Sequence, residues 1–149
     1  MARAFARSLL CERPDGRGEA CGACAACGWF DQGNHPDYRQ VQPEALEPGD
    51  EEPRRGEGAA PSRQIRIDQV RDLQPFLRVG THRGGLRIAL IRPAEAMNAS
   101  TANALLKSLE EPPERTLLLL VSSDPQRLLP TVRSRCQGVT VFPRVPRRR

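Results

Sequence analysis

Cys11, Cys21, Cys24 and Cys27 restrict what this chain can fold into more than any other residues in it. The last three form an unbroken C-x-x-C-x-x-C run, whose two-residue spacers let successive sulfurs face one point. Cys11 lies ten positions earlier and closes the shell from the end of a preceding segment. Thiolate is a strong ligand for zinc, and a shell of four sulfurs leaves no position open for water, so such a site is structural and not catalytic. The same cysteines allow two disulfides, an iron–sulfur cluster or simple free thiols. Disulfides suit an oxidising compartment, yet the sequence has neither a secretory signal nor a transmembrane run. The ferredoxin-type cluster adds a Cys followed by Pro, whereas Cys27 is followed by Gly28 and Trp29. Zinc is the reading this pattern favours.

The length of 149 residues suits one domain. Aromatic residues are only 4%, so a core has to be built from Leu, Val, Ile and Ala. The formal net charge of +5 is mild, and Arg144 and Arg147 to Arg149 place much of it in a solvated tail. Lys107 is the only lysine. A phosphate-binding P-loop requires Gly-Lys-[Ser/Thr] after a glycine-rich turn. Lys107 follows Leu106 inside a helical pattern, so these residues contain no such motif.

Periodicity predicts alternating helices and strands, the mark of an α/β layer structure. A short helix covers Ala2 to Leu10, and the cysteine knuckle follows. A strand spans Tyr38 to Gln42. The stretch from Pro43 to Pro61 is rich in Pro, Gly, Glu and Arg and reads as a mobile surface loop. Asp68 is the expected N-cap of a helix carrying Val70, Leu73 and Leu77, with Pro75 kinking or dividing it. A strand follows at Leu86 to Ile91. Asn98 or Ser100 caps the next helix, which runs through Glu110 until Pro112-Pro113 stops it. Thr116 to Val121 is almost wholly aliphatic, as in the middle of a parallel sheet. A short helical piece near Pro130 to Arg135 and a last strand at Val139 to Phe142 complete the pattern.

Three stretches in this order resemble one family. They are the cysteine run, Asn103-Ala-Leu-Leu-Lys-Ser-Leu-Glu-Glu-Pro-Pro113, and Leu128-Leu-Pro-Thr-Val-Arg-Ser-Arg-Cys136. Together with His35-Pro36-Asp37 they resemble the bacterial clamp-loader subunits of DNA polymerase III, both the gamma/tau ATPases and delta-prime. The resemblance implies a partial AAA+ (RecA-like) domain over residues 1–149. Its parallel sheet has the family order 5-1-4-3-2, and a four-cysteine zinc module is inserted at about residues 11–36. By that match Tyr38 to Gln42, Leu86 to Ile91, Thr116 to Val121 and Val139 to Phe142 are the family's second to fifth strands. The first strand, the lid and the collar fall outside the match. The resemblance therefore implies a fragment, of marginal stability, whose fourth strand has an unpaired edge.

An active ATPase of this family places Asp-Glu directly after its third strand, to orient magnesium and ready a water. Here those positions hold Arg92 and Pro93. Arginine does not ligate magnesium and proline offers no base, so the resemblance narrows to the non-hydrolysing delta-prime stator. In the family, the arginine of Ser134-Arg135-Cys136 reaches into a neighbouring subunit's ATP site; the residues taken without the resemblance favour an arginine paired with a local carboxylate. The implied partners are gamma/tau and delta, and indirectly the sliding clamp and primed DNA, in the cytoplasm with no membrane. Cys136 reads as a small buried residue and not a fifth ligand. The competing readings are a gamma/tau motor subunit and a free-standing zinc-ribbon nucleic-acid binder, the latter disfavoured by the few aromatics.

Overall fold

The computed structural model describes residues 1–46, 61–82 and 84–142. Three parallel strands, β1 (Tyr38–Val41), β2 (Arg87–Ile91) and β3 (Thr116–Leu120), form one sheet in the order β1-β2-β3. Tyr38 pairs with Ile88, and Ile88 in turn with Leu117. The expected order 5-1-4-3-2 names two further strands that are not among these three. β2 is buried along its whole length because both neighbours and both faces are covered.

Side-chain alternation along the strands sends the sheet's two faces into two cores. Val41, Ala89, Ile91, Leu118 and Leu120 face α3 (Ile67–Arg78) and α4 (Ala99–Glu110), which contribute Val70, Leu73, Leu77 and Leu105. Tyr38, Ile88, Leu90, Leu117 and Leu119 face α1 (Ala2–Leu10) and α2 (Ala25–Asp31), which contribute Ala6 and Phe30. The result is a helix–sheet–helix sandwich. A short α5 (Pro130–Arg133) packs beside α4.

Most expected elements are present with ends shifted by a residue or so. Four expectations need correction. The helix α3 starts with Arg66 at the N-cap, whose backbone N–H donates to the Gln69 side chain at 2.9 Å. Asp68 is not the cap but an exposed first-turn residue 3.9 Å from Arg71. Pro75 does not divide α3. Pro75 and Arg71 both lie on the exposed face, so the carbonyl freed by the missing N–H can turn to solvent. The cysteine knuckle contains a helix, α2, that periodicity does not reveal. Val139 to Phe142 is not a strand. Val139, Val141 and Phe142 are 79%, 57% and 81% exposed, and among the described residues no strand lies beside them to supply ladder partners. β3 is therefore an edge of the described sheet. The expected mobile loop falls mostly on residues 47–60, outside the described residues, as does the basic tail. Its described start is a 3-10 turn at Glu44–Leu46.

Of the two caps open for α4, Asn98 holds the position. Its Oδ1 accepts from Thr101 N–H at 2.8 Å. Asn98→Ala should lower stability by about 1 kcal/mol, the usual worth of a side-chain N-cap, measured as a shift of the urea midpoint at constant slope.

Candidate functional site

Two candidate centres sit on this scaffold. The first begins where α1 ends. Cys11 is the C-cap of α1, Cys24 is the N-cap of α2, and Cys27 lies in the first turn of α2. Gly22 adopts a φ of 72°, a left-handed conformation that lets the chain turn between Cys21 and Cys24. The four Sγ atoms lie within 4.8 Å of one another, and those of Cys11 and Cys24 are 3.8 Å apart. A zinc–sulfur bond of about 2.3 Å in a tetrahedron separates the sulfurs by about 3.8 Å, so the Cys11–Cys24 pair already has that spacing and the wider sulfurs would close in on an ion. The separation is far beyond a bonded pair, and all five cysteines are free thiols.

The environment polarises the set. Backbone hydrogen bonds from Cys27, acting against burial, bring the Cys24 thiol down to about 6. Hydrogen bonding from the Ala23 backbone lowers Cys21 as well. Burial pushes Cys27 up to about 12. The Cys24 and Cys21 thiols thus release their protons more readily than an ordinary thiol, and Cys27 less readily. Cys11, Cys24 and Cys27 are buried and Cys21 is exposed at the rim. Cys136 is not in this group. It is half-buried elsewhere, and burial raises its thiol.

The second centre is the turn after α5. The Ser134 hydroxyl donates to the Thr131 carbonyl at 3.1 Å. Arg135 is exposed, and its guanidinium meets Glu110, the last residue of α4. Nε donates to Glu110 Oε1 at 2.8 Å, and Nη2 stands 2.6 Å from the same oxygen. Nη1 donates to the Thr131 carbonyl at 2.8 Å. Ser134, Arg135 and Cys136 are therefore placed by one short helix, and they are not brought near the cysteine cluster.

The place of Arg135 in the sandwich matters. In a parallel α/β sheet, ligands bind at the carboxyl ends of the strands. Arg92 and Pro93 stand at that end of β2, with Arg92 exposed and its N–H donating to the Val41 carbonyl at 3.0 Å. The helix α4 begins on that side, and its C-terminus, with Glu110, leads into the start of β3. Twelve residues of helix make about 18 Å. Arg135 thus lies roughly a helix length from the carboxyl edge of its own sheet.

Two polar groups involve residues outside the motifs, Glu95 and Arg87. Glu95 follows Arg92-Pro93 and accepts from both the N–H and the hydroxyl of Ser123, at 3.2 and 2.7 Å. Burial tends to raise its carboxyl, but the hydrogen bonds from Ser123 and Ser122 outweigh it and hold the group below the ordinary carboxylate range. This ties the ends of β2 and β3 together. At the opposite edge, Arg87 and Asp37 form a buried pair at 3.3 Å, each almost fully covered. Arg87 also donates to the carbonyls of Phe76 and Gly80 and stacks over the Phe76 ring at 4.8 Å. Asp37 additionally accepts from the His82 N–H at 2.9 Å. His35-Pro36-Asp37 therefore serves the architecture. His35 Nδ1 accepts from the Asp37 N–H at 3.1 Å.

Comparison with known proteins gives the family. The family described as DNA polymerase III, delta subunit, matches residues 1–144. DNA polymerase III subunit delta-prime of Pseudomonas aeruginosa is 48% identical over 136 residues, covering 91% of this chain and 37% of that protein. DNA polymerase III subunit tau of Escherichia coli is 32% identical over 136 residues, covering 91% of this chain and 18% of tau. A crystal structure of a DNA polymerase III gamma subunit-related protein from Thermotoga maritima superposes with a TM-score of 0.58 at 31% identity, covering 75% of this chain and 31% of that one. The chain thus spans about a third of the length of the delta-prime relative. With a matching family model over nearly its whole length and close delta-prime relatives, the chain belongs to the DNA polymerase III delta-prime family, with gamma/tau as a similar branch.

Proposed function

We propose that this chain is part of a non-hydrolysing, delta-prime-type stator subunit of the DNA polymerase III clamp loader, and that Arg135 completes the ATP site of a neighbouring motor subunit. What supports this reading is that Arg135 is held at Glu110, the last residue of α4, a helix of about 18 Å that starts on the side of the carboxyl edge. At that remove a guanidinium cannot serve a nucleotide on its own sheet, but it is exposed for one held next door. Arg92-Pro93 at the end of β2 supports the same division of labour, since neither residue does the work of an Asp-Glu pair. The subunit acts in the cytoplasm with gamma/tau and delta, and through them on the sliding clamp and primed DNA. Among the described residues no helix is long and apolar enough to cross a membrane.

The test is nucleotide turnover. The full-length subunit alone should show no magnesium-dependent hydrolysis, and the assembled complex should turn over ATP through its motor subunits. Hydrolysis from this subunit's own site would transfer it to the gamma/tau reading, which the 32% identity to tau keeps in view.

The proposed metal is zinc, held by Cys11, Cys21, Cys24 and Cys27 as a structural ion that fixes α1 against α2. A bound ion must displace any proton a thiol retains. Cys27 is protonated at neutral pH in the metal-free protein. Zinc affinity should therefore drop at least about tenfold for each pH unit lowered between 8 and 7, one proton being taken up per ion lost. Competition with a chromophoric chelator across that range measures it. Cys11→Ser should abolish tight binding, and zinc-independent stability would refute the structural role.

A further inference from the structure

Glu110 is an odd residue for its position. As the last residue of α4 it puts a carboxylate at the negative end of the helix dipole, and Glu111 follows at the C-cap. The pair it forms with Arg135 is half in solvent, with the two side chains 48% and 33% exposed. Exposed pairs of that kind add little to stability. Neither helix stability nor fold stability accounts for it.

The geometry points to another role. A guanidinium carries five N–H groups in a planar fork. One oxygen of Glu110 takes Nε and Nη2, and the Thr131 carbonyl takes Nη1. The remaining contact, Nη1 to Ser134 Oγ, is long at 3.4 Å. The fork is held from its Nε side while one N–H on Nη2 and one on Nη1 stay available to an anion. An unrestrained arginine would sample many rotamers. Here the contacts to Glu110 and the Thr131 carbonyl favour one orientation before any partner arrives.

We propose that Glu110 is a positioning residue, which orients Arg135 toward the terminal phosphate of a nucleoside triphosphate held by the adjoining subunit. This rests on the reading of Arg135 given above. Glu110 touches no substrate and acts only through the arginine.

The experiment uses the assembled complex with full-length subunits, in which only the ATP site facing Arg135 is competent. Glu110→Gln keeps the shape and removes the charge. It should lower kcat at that site about three- to fivefold while KM for ATP stays unchanged. The effect should vanish when Arg135 is already alanine, and Glu114→Gln, in the loop just beyond, should have no effect. The thermal midpoint of the isolated Glu110→Gln subunit should match the parent, which separates positioning from folding. If Arg135→Ala slows turnover but Glu110→Gln leaves it unchanged or raises it, the positioning role is wrong and the arginine's role stands. If Arg135→Ala itself has no effect, both fall.

Discussion

Arg135→Ala, in a complex where the facing ATP site is the only competent one, should slow DNA-stimulated hydrolysis by about 10³- to 10⁵-fold. The size follows from what the guanidinium does. Charge builds on the γ-phosphoryl oxygens as the bond breaks, and a fixed cation in a site closed to water stabilises it far more than in bulk solvent. ATP binding to the motor subunit should change much less, because the interaction strengthens mainly in the transition state. Arg135→Lys should recover only a part, since a lysine ammonium lacks the planar fork held here by Glu110 and Thr131. Turnover at the parent rate in Arg135→Ala would end the proposal that this arginine acts in trans.

The second large effect concerns stability. Arg87→Met leaves Asp37 as a buried carboxylate without its cation, and strands the carbonyls of Phe76 and Gly80. Breaking a buried pair from one side costs about 3 to 5 kcal/mol, which should lower the thermal midpoint by roughly 10 °C. Replacing both partners with apolar residues often restores stability when a pair is isolated. Here Arg87→Met with Asp37→Leu should recover little, because Arg87 closes the α3 end on two backbone oxygens and Asp37 holds the His82 N–H. A double variant as stable as the parent would show that the ion pair, and not these backbone contacts, is what matters.

Arg87 also marks a limit of what can be read from residues alone. The strands were legible because Leu86 to Ile91 and Thr116 to Val121 are aliphatic runs between turn signals, and buried parallel strands are built that way. The run containing Arg87 reads as a buried strand, but arginine is seldom buried and nothing near it in sequence says what would meet the guanidinium. Its partners at positions 37, 76 and 80 meet it only through the fold. The same holds for Glu110 and Arg135, which are 25 residues apart. The cysteine cluster was legible because its ligands are close in sequence and each has to face one point. The helix α2 inside it was hidden, since seven residues with two glycine-flanked turns nearby are too few to show a period. Val139 to Phe142 has the composition of a strand, yet composition describes what a segment would suit. Without a neighbour in the described structure, the ladder does not form.

The outer side of β3 has a practical meaning. Thr116 to Leu120 carries no charge and no proline, two of the devices by which open sheets resist accretion. Whatever extended peptide approaches that side meets a ready row of amide and carbonyl partners flanked by leucines. Preparations of these 149 residues by themselves should accordingly be handled dilute and watched for turbidity, with a charged substitution at the rim as the first remedy.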